Sequence, residues 1–324
     1  MAKIPVIKAI NLSKTFKLSK DNEVIALHAV NFEIYSGELI CFFGPSGCGK
    51  STLLSMLAGL QPPTSGEVVV RGKNLANYKK KEISAYRREK IGMVFQQFNL
   101  ILSMTVLENI ALPMAFGGMK RKRRMQRALH LLEVVGLGEK KKSVPADLSG
   151  GQQQKVAIAR SLINNPWIIM ADEPTGNLDS KSADDVMKLL ISLSRKSKRT
   201  VILITHNPEY LQYADRIFRM KDGRVDKIEV NAKTTKVELV DSVAKLDKLK
   251  DVDDKSSDDS KDEEPIFSSE IGKIEDEKKE VLSEREDESN EIPAEEDKEA
   301  ENVEPREALS EKEDESKEKE EIKQ

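Results

Sequence analysis

Residues 44–52 read GPSGCGKST. Gly44, Gly49, Lys50 and Ser51 fall on the pattern G-x-x-x-x-G-K-[ST], after the apolar run ELICFF and before LLSMLAGL. That is strand, glycine-rich loop and helix, the context in which this pattern cradles phosphate. The glycines let successive backbone N–H groups turn inward around phosphate oxygens, and the helix N-terminus adds its positive dipole end. Pro45, Ser46, Gly47, Cys48 and Thr52 complete the cradle. Lys50 is placed to reach the β- and γ-phosphates, and the Ser51 hydroxyl to hold Mg²⁺. A chain built around such a loop is constrained to an α/β core that presents its ligand at the C-terminal edge of a largely parallel sheet.

The rest of residues 1–230 fits that frame. VIALHAVNFEI, ELICFFG, EVVV, KIGMVFQ, WIIMADE and TVILITH read as strands, and GKSTLLSMLAGL, 119–136 and 149–164 as helices. Hairpin-length gaps between the first runs suit an antiparallel layer. In the 119–136 helix, Ala128, Leu131, Leu132 and Val135 share one face, and Gly136 stops it. WIIMADEP ends a buried strand in Asp172 and Glu173. Carboxylates at that edge suit a metal organiser, Asp172 acting through water, and a general base, Glu173. TVILITH ends a neighbouring strand in His206, within reach of a γ-phosphate.

A second glycine-rich helix start follows downstream, LSGGQQQKVAIAR at 148–160. GPSGCGKST, LSGGQ and ADEP, in that order and with a histidine-ended strand after them, resemble the ATP-binding-cassette ATPases over residues 4 to about 230. The resemblance implies a phosphate-loop NTPase core with a mixed sheet, an antiparallel β layer and a helical subdomain at about 97–165. It implies two cassettes packed head to tail, with ATP between the phosphate loop of one and the LSGGQ of the other. Ser149, Gly150, Gly151 and Gln152 would then cap the γ-phosphate from the opposite face, where free N–H groups and a helix dipole favour an anion. It also implies that Gln96 contacts Mg²⁺ and water and senses a membrane partner, that Phe16 stacks on adenine, and that Asp179 crosses the dimer. Gly176-Asn177 stands where the family often has Ser-Ala, and Lys155 where arginine is frequent. The wording of VFQQFNLILSMTVLENIALPM and ADEPTGNLDS is most similar to the branch of macrolide and peptide exporters and lipoprotein-release transporters. That branch implies a separate permease with few membrane spans; an uptake ATPase and a soluble non-transport cassette are the alternatives. No nucleic-acid partner is expected. The run FNLILSM is the expected docking surface for the permease.

Charge separates the chain into two parts. Residues 251–324 carry 32 acidic and 12 basic residues, so the whole-chain charge of −3 leaves +17 on residues 1–250. The acidic segment has almost no aromatics, and 231–324 is expected to be a largely disordered tail. The two cysteines, Cys41 and Cys48, lie in or beside the phosphate loop, which points to a reducing compartment. Cys48 is expected to be an alkylation target that ATP protects. The N-terminus shows no charged-then-apolar secretory pattern. The expected location is the cytoplasm, peripheral on the inner face of the membrane.

Overall fold

The computed structural model of the chain describes residues 5–17, 19, 22–232 and 234–250. The first five strands are β1 (Pro5–Lys17), β2 (Glu23–Tyr35), β3 (Leu39–Phe43), β4 (Ser65–Val70) and β5 (Lys73–Asn74). The next five are β6 (Ile91–Val94), β7 (Ile168–Asp172), β8 (Thr200–Thr205), β9 (Arg216–Lys221) and β10 (Arg224–Val230). Six α-helices accompany them: α1 (Lys50–Leu57), α2 (Lys80–Glu89), α3 (Val106–Ala115), α4 (Arg121–Val134), α5 (Gly150–Leu162) and α6 (Ser180–Arg195).

The strands form two sheets. One is antiparallel, in the order β2-β1-β4-β5, and is the layer expected from the short gaps between the first runs. The other is mixed, in the order β10-β9-β3-β8-β7-β6. Its pairs are parallel except β9 with β10, which a tight Asp222-Gly223 turn joins with both residues at positive φ.

Side-chain alternation along β3 shows how the core divides. Leu39 and Cys41 face one side and pack with α3, α4, α5 and α6. Ile40 and Phe42 face the other side, under the antiparallel sheet and α1. The same alternation splits Ile169 and Ala171 from Ile168 and Met170 on β7. Phe42 meets Phe32 and Phe218 with ring centroids 5.3 and 4.9 Å away, so aromatic packing ties the two sheets together.

Between β6 and β7 the chain is helical. The α4 face Ala128, Leu131, Leu132 and Val135 is buried, and Gly136 at φ 76° ends the helix run. Three helices were not assigned from the sequence. Pro113 and the buried Asn109 break up the apolar pattern of α3, whose start is instead marked by a Thr105/Glu108 capping box. In α6, Ala183, Val186, Met187 and Leu190 make a plain apolar stripe behind the Asp179 cap, so this signal was legible. α2 buries only Tyr86 and offers no such stripe.

The boundary at 230 needs correction. Residues 241–250 form a 3₁₀ segment that buries Val243 and Leu246 in the same core as α4 and α6. Ser242 Oγ donates to the Val134 carbonyl at 2.6 Å, and Val240 N–H to Ser192 Oγ at 2.8 Å. Val240, Val243 and Leu246 recur every three residues, the 3₁₀ period, so they share one face. The acidic segment from 251 onward, read above as disordered, lies outside the described residues.

Candidate functional site

Strand order sets the site. β3, β8, β7 and β6 lie side by side and parallel, so the segments leaving their C-terminal ends emerge in a row. The phosphate loop follows β3, His206 follows β8, Asp172 ends β7 with Glu173 next to it, and Gln96 lies just beyond β6.

In the loop, Gly49 takes φ 97° as the N-cap of α1, and a Cβ there would sit 2.5 Å from the Ala26 carbonyl. A Cβ at Gly44 would sit 2.2 Å from the Met220 carbonyl. Both glycines are therefore required by close backbone approach. Lys50 is 5% exposed, and its Nζ donates to the Gly44 and Pro45 carbonyls at 2.7 and 2.8 Å. Its ammonium is thus tethered to the rim of the cradle itself. Cys48 is 6% exposed, with Sγ 3.9 Å from that ammonium. The expectation of an accessible Cys48 thiol is therefore corrected: the side chain points into the core, not into the cradle. Burial pushes the Cys41 thiol, in the core on the other side of the sheet, up to about 12.

Ser51 Oγ donates to Asp172 Oδ1 at 3.1 Å, so hydroxyl and carboxylate face one another across α1 and β7. Burial holds the Asp172 carboxyl above the usual carboxylate range, and Glu173 adds to that rise, while the Ser51 hydrogen bond and Lys50 oppose it. Glu173 has a left-handed backbone, φ 45°, while its N–H still donates to the Ile204 carbonyl at 3.0 Å. The strand therefore stays paired up to the residue whose side chain turns into the site, at some cost in backbone strain. His206 Nδ1 lies 3.1 Å from Glu173 Oε2. A cleft of about 250 Å³ opens beside these two and is also lined by Thr175, Asp184, Asn207 and Glu209.

Gln96 does not reach the Ser51–Asp172 pair here. Its Nε2 donates to Asn177 Oδ1 at 3.2 Å, and Asn177 Nδ2 donates back to the Gln96 carbonyl at 3.3 Å. A Cβ at Gly176 would lie 2.7 Å from Gln96 Nε2, so glycine makes room for the contact. Two of the positions that depart from the family's common wording thus shape this contact: Asn177 bonds Gln96 and Gly176 leaves it room.

The second glycine-rich start is a helix N-terminus. Ser149 caps α5, accepting from Gln152 N–H at 3.3 Å, and the Gln152 side chain accepts from Ser149 N–H at 3.1 Å. Gly151 allows α5 to approach α6, because its Cβ would fall 2.4 Å from Ser182 Oγ, whereas a Cβ at Gly150 would make ordinary contacts. Asp179 caps α6 through Ser182 N–H at 3.0 Å, and that hydrogen bonding keeps its carboxyl below the usual range. Phe16 is half-buried near the end of β1, with Lys14 Nζ 5.2 Å from its ring centre. Two contributors escaped sequence reasoning. Asn177 was noted only as a departure, and the fully buried Gln154 was read as part of a helix.

Comparisons with known proteins identify the family. The family described as ABC transporter matches residues 27–176. An ABC transporter ATP-binding protein of Methanocaldococcus jannaschii is 49% identical over 206 residues, covering 64% of this chain and 92% of the relative. A macrolide export ATP-binding/permease protein, MacB of Hyphomonas neptunium, is 43% identical over 207 residues, 64% of this chain and 32% of that longer protein. Among solved structures, the ATP-binding cassette MJ0796, a dimer in a post-hydrolysis state bound to ADP and Pi, superposes with a TM-score of 0.64. It has 43% identity and covers 69% of this chain and 98% of that one. The chain belongs to the ATP-binding-cassette family, as an ABC transporter ATP-binding protein.

Proposed function

We propose that this chain is the ATP-hydrolysing subunit of a membrane transporter and drives export or mechanical transmission through a separate permease. The observation that carries this reading is the row of groups along one sheet edge: Lys50 over the phosphate loop, Ser51 bonded to Asp172, and Glu173 bonded to His206. Lys50 exchanges its two carbonyl partners for β- and γ-phosphate oxygens. Glu173 takes a proton from the attacking water as general base. His206 orients that carboxylate at 3.1 Å and faces the γ-phosphate.

The residues fit Mg²⁺. A hydroxyl and one partly buried carboxylate converge, and the described residues contain no cluster of three metal-binding side chains. Mg²⁺ commonly takes one or two carboxylates and completes its shell with phosphates and water. Ser51 and Asp172 would hold the ion, which would neutralise developing phosphate charge, and Gln96 would join them on leaving Asn177.

Two subunits pack head to tail, and Ser149, Gly150, Gly151 and Gln152 of each cap the ATP held by the other. Asp179 lies at that junction, and Phe16 stacks on adenine. Dimeric MJ0796 bound to ADP and Pi supports this reading. The permease partner is supported by MacB, whose name joins ATP-binding and permease functions. It is also supported by Leu102, 72% exposed on the loop expected to dock. Among the described residues no helix is long and apolar enough to cross a membrane. The reading places the chain in the cytoplasm, on the inner face of the membrane, with no nucleic-acid partner.

Two experiments test it. Glu173→Gln should lower turnover about 10²–10⁴-fold, the worth of a general base, and leave ATP binding and ATP-dependent dimerisation intact; normal turnover would remove Glu173 from the role. Gentle solubilisation of membranes should recover a permease with few spans and a large outer domain. A many-span permease with a binding protein would turn the reading toward uptake, and ribosomal or DNA-bound material alone would overturn it.

A further inference from the structure

Gln154 has no place in the row of groups above, yet it touches the backbone next to two of them. It lies one turn inside α5 and is fully buried. Its Nε2 donates to the Pro174 carbonyl at 2.6 Å and to the Phe95 carbonyl at 3.1 Å. Pro174 follows Glu173, and Phe95 precedes Gln96. Both partners are carbonyls, which only accept, so the nitrogen must face them and the amide cannot be flipped. The Oε1 atom is left buried with no hydrogen-bond partner.

The position explains the residue type. β6 and β7 are paired up to Val94 and Ala171. Beyond that point the strands part, one toward Gln96 and one toward Glu173, and two carbonyls lose their ladder partners. A single carboxamide with two donors serves both. A hydrophobic side chain would fill the space but leave two buried acceptors unsatisfied. Further along the same helix, Arg160 donates to the Phe98 and Asn99 carbonyls. The 95–99 segment is therefore bound to α5 at both ends, and Gln154 also binds α5 to the backbone beside Glu173.

We propose that Gln154 is a positioning residue for hydrolysis, its carboxamide coupling the helix that begins at Ser149 to the backbones beside Gln96 and Glu173. The proposal rests on the ATPase reading above. A change in the angle of α5, such as ATP clamped at its N-terminus would impose, moves Gln96 and Glu173 together. Lys50 and the phosphate loop stand on β3 and α1 and make no contact with this amide, so ATP binding to the loop is outside its reach.

The test uses the full chain and two near-isosteric variants. Gln154→Met keeps the length and removes both donors. Gln154→Glu keeps the shape and sets a carboxylate against two carbonyls. Leu162→Ala, a buried truncation on the same helix, is the stability control. We expect Gln154→Met to lower kcat by about ten- to a hundredfold, as for small misplacements of reacting groups, with KM within about twofold of the parent. Leu162→Ala should keep the parental kcat per folded molecule while losing more thermal stability. For Gln154→Glu, activity relative to the parent at the same pH should rise as pH falls, because the protonated acid regains one donor; the Gln154→Met ratio should stay flat. The pH ratio also decides the matter if Gln154→Met fails to fold. Parental kcat in Gln154→Met, or a kcat loss that only follows melting temperature as in Leu162→Ala, would overturn the proposal. So would a flat ratio in Gln154→Glu. Glu173→Gln in the same assay separates the two readings: if it keeps full turnover the catalytic assignment fails, whatever Gln154 does.

Discussion

Lys50→Met isolates the ligand role of a buried ammonium from its role in the fold. Among the described residues Lys50 donates to the Gly44 and Pro45 carbonyls and lies 3.9 Å from the Cys48 sulfur. Hydrogen bonds from a charged donor contribute about 1.5–3 kcal/mol each, while the effective desolvation penalty of a buried ion is several kcal/mol. The two nearly cancel, and methionine fills the same volume. The nucleotide-free melting temperature should therefore stay within about 4 °C of the parent, since 1 kcal/mol corresponds to roughly 2–4 °C for a domain of this size. Nucleotide changes the comparison. At a hundred times the dissociation constant, ATP stabilises the parent by about 2.7 kcal/mol, or roughly 5–11 °C. Loss of the phosphate contact of Lys50 should weaken binding about a hundredfold, comparable to one or two charge-assisted hydrogen bonds. The same ATP concentration then stabilises the variant by about 0.4 kcal/mol, or roughly 1–2 °C. Thermal melts with and without ATP, at matched protein concentration, read both quantities. A variant that keeps the parental ATP shift would refute Lys50 as a phosphate ligand. A fall of more than about 10 °C without nucleotide would show that its carbonyl bonds hold the loop together.

Other changes probe separate links. Asp172 has a raised folded-state pKa, caused first by burial, so its ionisation opposes folding once pH rises through that value. Asp172→Asn should raise the nucleotide-free melting temperature at neutral pH, with the gain shrinking as pH falls toward the ordinary carboxylate range; a pH-independent difference would contradict the cause. Leu246→Ala should cost about 2–5 kcal/mol, the usual range for a buried leucine, and a neutral result in chemical denaturation would show that the 241–250 segment is not part of the core. Iodoacetamide should modify native Cys48 much more slowly than the denatured chain, because the thiol is buried; equal rates would place it in the open cradle after all.

The parts of the site legible in the sequence are those whose chemistry demands particular residue types in one continuous run. Gly44, Gly49, Lys50 and Ser51 are readable because backbone approach, an ammonium and a hydroxyl are each needed within a few residues. Asp172, Glu173 and His206 are readable because polar residues end otherwise apolar strands. The layering was legible too: six of the ten strands and three of the six helices follow from apolar runs and helix starts. Of the rest, α6 carried a legible stripe that went unassigned, whereas other elements depended on tertiary context. β1, PVIKAINLSKTFK, is interrupted by three lysines and is held as a strand because β2 and β4 pair with it on both sides. The 241–250 segment gained order from α4 and α6, not from any local signal strong enough to set against the acidic run that follows.

Gln154 and Asn177 show a different reason for illegibility. Both act on groups that every residue possesses or on a loop from elsewhere in the chain. The partners of Gln154 are the carbonyls of Phe95 and Pro174, and any residues at those positions would offer the same atoms. Asn177 engages Gln96 across 81 positions of sequence, in a gap that exists only because residue 176 has no Cβ. A motif search finds residues that touch a ligand, since the ligand dictates their type and spacing. Residues that hold those residues answer to backbone geometry, which becomes visible only once β6 and β7 are seen to part. The groups that do the chemistry can thus stay the same while their holders decide how closely a movement of α5 is matched by Gln96 and Glu173. On the proposed reading, that movement is where ATP binding is converted into hydrolysis.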